Sequence, residues 1–149
     1  MNKATIFHTD DFNVLLRRIE ILQPDSPRQW GKMTPAQMLA HLNVPLETGL
    51  GRINPPQEGN MFTRPLARWY VTTRTRFPRN LPTLNAFVVR EQRDFNREKQ
   101  RLLTNLQDGF ALGLNGYWHP HHAFGALSAQ QWGELTHLHL DHHLRQFGV

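Results

Sequence analysis

The chain contains no cysteine. This excludes a disulfide scaffold, a thiolate zinc finger, an iron–sulfur cluster and a cysteine nucleophile. No stretch approaches the roughly 18 apolar residues of a membrane span, and the N-terminus lacks the apolar core of a signal peptide. A glycine-rich phosphate loop and a Gly-x-Ser-x-Gly motif are also missing. We therefore expect a cytoplasmic protein that does not enter a membrane.

Histidine and positive charge are what the sequence has in excess. Its 149 residues carry a net charge of +5 and include nine histidines. Seven of these lie between His119 and His143. The length suits one domain, and no long linker divides it, so we expect a single domain over residues 1–149.

Prolines separate segments of helical periodicity. Thr9, Thr34, Asp94 and Ser128 are predicted N-caps of four amphipathic helices, and Gly148 is the predicted stop of the last. A weaker pattern places Leu66, Trp69, Tyr70, Thr73 and Phe77 on one face of an additional short helix, after a loop over 52–60. Ala86–Val89 is the only candidate strand. The sequence thus predicts an all-α protein, a four-helix bundle with an additional short helix and a long loop between its second and third helices.

Two histidines share the apolar stripe of the last helix. His139 and His143 are one turn apart and lie on the side that carries Trp132, Leu135 and Phe147. The opposite side carries Glu134, His137, Asp141 and Arg145, and we expect it to face water. Two histidines at this spacing can converge on one metal ion. A purely structural role remains open, because histidines near a helix C-terminus also complement the helix dipole.

A metal site needs at least one more ligand, and His41 is the only histidine inside another predicted helix. Pro45, four residues later, predicts a kink beside it. Di-iron chemistry fits poorly, because Glu134 and His137 form a single Glu-x-x-His match on the outer side.

The order of several motifs resembles an uncharacterised bacterial family within the DinB-like superfamily. The motifs are Thr34-Pro-Ala-Gln-Met-Leu-Ala-His41-Leu, Pro82-Thr-Leu, Lys99-Gln-Arg-Leu-Leu, His119-Pro, Phe124-Gly-Ala-Leu-Ser128, Trp132-Gly-Glu-Leu and His139-Leu-Asp-His-His143-Leu-Arg-Gln-Phe. The resemblance implies a four-helix bundle that binds a divalent metal, zinc or nickel, through His41, His139 and His143. Some superfamily members are transferases or isomerases that use a low-molecular-weight thiol, but no motif here carries that chemistry over. His142 can substitute in the ligand set, as can His119, His121 or His122 from the preceding loop.

A basic segment lies between Glu58 and Glu91. It contains six arginines and no acidic residue, and aromatic residues are interleaved with the arginines. Such a pattern can bind nucleic acid. We instead expect Trp69, Tyr70 and Phe77 to be core residues, and Arg64 and Arg68 to face water, so no specific nucleic-acid site is predicted. Arginines near the metal could also hold an anionic substrate.

Two functions follow from these observations. The first is a metal-dependent enzyme, a transferase or hydrolase, with an open metal position for water, a thiol or a small-molecule substrate. Asp141 is a poor candidate for its general base, because it lies on the outer side. The second is a non-catalytic protein whose basic face docks an acidic partner or nucleic acid. A homodimer is left open.

Overall fold

The computed structural model describes residues 3–79 and 81–149. Met1 and Asn2, which belong to the segment expected to lack a signal peptide, and Asn80 lie outside the described residues. Across these two described ranges the chain forms five α-helices: α1 (Thr9–Ile21), α2 (Pro35–Gly49), α3 (Thr63–Thr73), α4 (Phe95–Leu112) and α5 (Ala129–Gln146). The described residues contain no strand. The all-helical prediction is confirmed, whereas the candidate strand Ala86–Val89 is wrong, because a 3₁₀ turn spans Asn85–Phe87.

Local sequence explains where three of these helices begin. Thr34 and Ser128 each form a capping box, with Gln37 and Gln131 respectively, and the Asp94 side chain accepts from the backbone N–H of Arg97. The expected cap at Thr9 is wrong. His8 occupies the N-cap position without a side-chain bond, because Thr9 already has helical geometry.

Helix α2 packs against both α4 and α5, α1 packs against α5, and α3 packs against α5. Large apolar side chains at these contacts form the core, among them Leu15, Leu39, Leu106, Trp132 and Leu144. At Gly133 a side chain would collide with Thr5 and Phe7. Glycine there lets the N-terminal segment lie directly on α5, where the Ile6 N–H donates to the Gly133 carbonyl.

The contact between α2 and α4 contains a buried polar network. Asn43 Nδ2 donates to Glu98 Oε2, and Asn105 Nδ2 donates to Asn43 Oδ1 at 2.8 Å. Arg101 Nε donates to Glu47 Oε1 at 2.6 Å, and a second guanidinium nitrogen binds the other oxygen of that carboxylate. The buried carboxylates of this contact are therefore paired.

The predicted face of α3 is wrong. Leu66 and Trp69 are 66% and 60% exposed, and the buried residue of this helix is Val71. Arg64 and Arg68 are only half-exposed, and Arg68 donates to the Ala126 carbonyl. Periodicity identified residues that share a face, but this short helix turns a different face to the protein body.

Two other residues of the predicted face also differ from expectation. Phe77 is buried, but it lies beyond the end of α3, and Thr73 is exposed. Helix α3 ends at Thr73, so the segment after it, rather than the helix itself, places Phe77 in the core.

The outer side of α5 does not face water as expected. Arg18 from α1 donates to Asp141 Oδ1 at 2.8 Å, and Arg145 binds the other carboxylate oxygen. Burial raises the pKa of Asp141, but the hydrogen bonds from Arg18 and Arg145 outweigh it and lower the pKa below its usual value. This carboxylate therefore joins α1 to α5.

Within the described residues, no helix combines the length and the apolar character that crossing a membrane requires.

Candidate metal centre

The structure brings together the three histidines that the sequence singled out. His139 and His143 lie one turn apart on α5, and His41 faces them from α2. Each offers a ring nitrogen, and these three atoms lie within 4.8 Å of one another. No second group of this kind exists among the residues that the structure describes. The three side chains can hold a metal ion.

Protein acceptors fix the protons of two of the three rings. His41 Nδ1 lies 2.8 Å from the Phe87 carbonyl oxygen, which can only accept, so Nδ1 carries the proton. His143 Nδ1 lies 2.9 Å from Gln146 Oε1, and the Gln146 amide donates to the Trp30 carbonyl. The Gln146 oxygen therefore accepts from His143. Both rings keep the lone pair of Nε2 for a ligand, as in histidines oriented by outer partners in metal sites.

The ring nitrogens that point into the cluster lie close to one another. His41 Nε2 lies 2.8 Å from His139 Nε2, and the ring centroids of His139 and His143 are 4.8 Å apart. Two lone pairs at this separation repel each other unless a cation lies between them. Without a metal ion, His139 can supply a proton from Nε2 to His41.

Burial keeps these imidazoles neutral. It lowers the pKa of His41 to about 4, against the hydrogen bond to Phe87, and that of His143 to about 3. Burial, followed by the charges of His41 and His143, also lowers the pKa of His139. Neutral imidazole is the form that binds a metal, so no proton has to be removed at neutral pH.

A cavity of about 460 Å³ adjoins the three rings. Its walls come mainly from apolar side chains of α2, α3 and α5 and of the segment 81–87, and none of the Asp, Glu, Lys or Arg residues that the structure describes lines it. Pro45 lines the cavity from within α2, which continues through it to Gly49. The volume falls in the range of small-molecule sites.

The other candidate histidines lie outside the group of three. His142 also lines the cavity, but its ring packs edge-on against Trp30 and Phe77. His121 and His122 are buried and stack on each other, with ring centroids 4.7 Å apart. His119 is exposed.

Sequence reasoning missed the groups that orient the rings. The sequence could have predicted the contact of Gln146 with His143, because Gln146 lies three residues after His143 and therefore one helical turn away. The contacts of the Phe87 and Trp30 carbonyls could not be predicted, because any residue carries a carbonyl and the loops that place them have no periodic pattern.

Comparison with known proteins identifies the family. The model of a family described as "Protein of unknown function (DUF1569)" matches residues 1–148, so the chain belongs to this family. No curated protein and no solved structure matches the chain significantly.

Proposed function

We propose that this member of the DUF1569 family is a metal-dependent enzyme, a transferase or hydrolase, with one divalent ion held by His41, His139 and His143. The observation that carries this proposal is the convergence of three neutral imidazoles on one point beside an apolar cavity. We further propose that α1, α2, α4 and α5 form the four-helix bundle of the DinB-like superfamily. Their mutual packing and the position of the histidines on α2 and α5 support it.

The donor set fits a borderline-soft ion. Three imidazole nitrogens suit zinc or nickel, whereas magnesium and calcium prefer oxygen. Phe87 and Gln146 would hold two rings with Nε2 directed at the ion. A catalytic zinc commonly has three protein ligands and one open position. Here all three histidines line the cavity, which would give a ligand access to such a position.

A zinc or nickel ion would act as a Lewis acid and lower the pKa of a water or thiol bound to it. The chain's own residues would exclude bulk water with the apolar walls of the cavity. Among the described residues, no carboxylate lines the cavity, and Asp141 is occupied by Arg18 and Arg145. Any proton transfer would therefore use Tyr70, His121 or His142, the remaining titratable groups of the lining, or the substrate itself. A low-molecular-weight thiol as co-substrate is supported by the family resemblance alone.

Elemental analysis of protein purified without a histidine tag tests the proposal. We expect close to one equivalent of zinc or nickel per chain, and less than about a tenth of it in the His139→Ala/His143→Ala double variant, because one histidine cannot hold the ion. The matched control is His8→Ala/His119→Ala, which removes two exposed histidines. Equal metal content in the wild type and the His139/His143 variant would contradict the proposal.

One observation favours the second candidate, a docking surface on α3. Phe62 and Trp69 are 81% and 60% exposed in the arginine-rich segment. Yet several of its arginines are engaged within the protein. Arg64 donates to Gln57, the guanidinium of Arg74 lies 4.3 Å from the Tyr70 ring centre, and that of Arg79 lies 4.6 Å from the centre of Trp30. We therefore retain the proposal that this segment is not a specific nucleic-acid site.

Fluorescence anisotropy with duplex and single-stranded DNA at physiological salt tests this point. We expect no submicromolar binding, because intramolecular contacts already engage several of the arginines that would have to bind phosphates. Tight binding that is lost in the Trp69→Ala variant would favour the docking function instead.

A further inference from the structure

The cavity beside the three histidines has a lining that no function described so far explains. Its walls are apolar, with polar atoms confined to a few side chains such as Tyr70, Thr136 and His121. A charged group buried there without a partner would lose its hydration and gain nothing in return. A ligand therefore needs an apolar body, with any polar head placed where a polar group or the ion can meet it.

His121 supplies one such polar group. It is 1% exposed, and its Nδ1 accepts a hydrogen bond of 3.1 Å from the Ala123 N–H. An accepting Nδ1 leaves the proton of the neutral ring on Nε2. Among the described residues, no protein atom accepts from this Nε2, although the residue lines the cavity. His121 is thus a cavity-lining residue whose Nε2–H donor has no acceptor among the described residues.

Two observations describe how this donor is held. Burial, with the charges of His122 and Arg64, lowers the pKa of His121 to about 3, so the ring is an uncharged donor at neutral pH. The ring stacks between aromatic neighbours, with its centroid 4.3 Å from that of Phe124 and 4.7 Å from that of His122. These neighbours fix its orientation, so it can select a ligand by the position of an acceptor atom.

The cavity also has an entrance. Four of its lining residues are exposed, Thr63 and Leu66 from α3 and Pro82 and Thr83 from the segment before the 3₁₀ turn. These exposed residues indicate that the cavity opens to the surface between α3 and that segment.

We propose that the site takes an apolar small molecule with one oxygen-bearing polar head, the head lying at the metal and accepting from His121 Nε2, the apolar body filling the cavity towards α3. This inference rests on the proposed metal site and adds to it the class of ligand and a specificity-determining residue. It assigns His121 to ligand binding rather than to metal binding.

Alkyl hydroxamic acids test the class of ligand, because their heads bind zinc and their tails vary in length. Each buried methylene strengthens binding about fourfold. For the zinc-loaded protein we expect octanohydroxamic acid to bind on the order of 100-fold more tightly than butanohydroxamic acid in isothermal titration calorimetry. Equal affinities for the two acids would overturn the proposal.

Variants with a larger side chain in the cavity wall test whether the tail of the ligand lies in this cavity. Ala67→Trp places an indole in the α3 wall, and Ala67→Phe is the milder alternative should the first fail to fold. We expect that in either variant octanohydroxamic acid binds less than about tenfold more tightly than butanohydroxamic acid. Ala111→Trp, on the exposed side of α4, should retain the full gain from the longer tail. An unchanged gain in a folded Ala67 variant would contradict the assigned cavity.

The role of His121 is tested separately. His121→Phe keeps the stacking but removes the donor, and we expect it to weaken both hydroxamic acids about tenfold while metal content and the dependence on tail length stay unchanged. His121→Gln retains an N–H donor and should recover most of the affinity. Equal binding by the Phe variant and the wild type, or loss of metal from it, would contradict the assigned role.

A metal-free experiment separates this inference from the proposed function. Nile red, an uncharged apolar dye, should fluoresce on binding to EDTA-treated wild type and bind at least tenfold more weakly to Ala67→Trp. A protein that takes up zinc but shows neither dye binding nor dependence on tail length would overturn the ligand class and leave the metal site standing. Dye binding by a chain that never takes up metal would instead overturn the proposed function, and with it the placement of the head.

Discussion

Helix α2 borders two buried polar regions that differ in how they are satisfied. Towards α4 its Asn43 and Glu47 enter a network in which amides and a guanidinium pair the buried carboxylates. Towards α5 its His41 contacts His139 and His143. The ring nitrogens of this cluster face one another beside an open cavity, and no carboxylate or cationic side chain of the described residues pairs with them. In the first region the hydrogen-bonding groups already have partners within the protein, so none is left for a ligand. In the histidine cluster, ring nitrogens are still free to bind one. We therefore expect the first region to stabilise the fold, and we propose that the second binds a ligand.

The largest expected effect separates the two regions on α2 itself. His41→Ala should weaken zinc binding by more than the roughly 10–100-fold that loss of an outer partner costs, because it removes a ligand atom. Asn43→Ala, two residues later, should leave zinc affinity within about threefold but lower the free energy of unfolding by about 1–3 kcal/mol, since it leaves buried polar partners unsatisfied. Competition with a zinc chelator and urea unfolding measure the two quantities. Similar effects of both variants on zinc affinity would break the comparison.

A smaller effect is expected at Gln146, which touches the cluster only through His143. Gln146→Leu removes the acceptor of the Nδ1 proton, so zinc affinity should fall about 10–100-fold. Gln146→Glu keeps an acceptor oxygen and should restore most of it. Chelator competition provides the measurement, and a Leu variant as tight as the wild type would remove Gln146 from the site.

The smallest effect is a difference in pH dependence. The buried His121 has its pKa lowered from 6.5 to about 3, so it is neutral when folded and takes up a proton on unfolding below pH 6.5. Its contribution to stability is complete above pH 6.5 and is lost as the pH falls, at about 1.4 kcal/mol per pH unit. In the α2–α4 network, burial raises the pKa of Glu47, but the bonds from Arg101 and Asn105 bring it below 4.5. That contribution is present above pH 4.5 and is lost only at lower pH.

Urea unfolding of the metal-free protein between pH 7.5 and 5 measures this difference. His121→Gln should leave the slope of stability against pH unchanged near pH 7.5 and reduce it by up to about 1.4 kcal/mol per unit as the pH approaches 5, since it removes one titrating group. Glu47→Gln should leave the slope in this range unchanged. A slope that depends on Glu47 above pH 5 would contradict the division between the two regions.

Local signals predicted what depends on neighbours in the chain. The N-caps at Thr34 and Ser128 and the pairing of His139 with His143 follow from helix geometry. His41 followed from being the one histidine in another predicted helix, and from the family resemblance. The exposed Trp69 shows the limit, because periodicity defines a face without showing what covers it. The α2–α4 network and the Phe87 carbonyl depend on contacts between distant segments, and no spacing in the sequence encodes them.

X-ray absorption spectroscopy of the zinc-loaded, untagged protein tests the central claim most directly. We predict three imidazole nitrogens at about 2.0–2.1 Å and at least one further light ligand that is not imidazole. The spectrum of the His139→Ala/His143→Ala variant should show no shell of imidazole nitrogens around zinc. A wild-type spectrum with four imidazoles, or with fewer than three, would contradict the assignment of His41, His139 and His143.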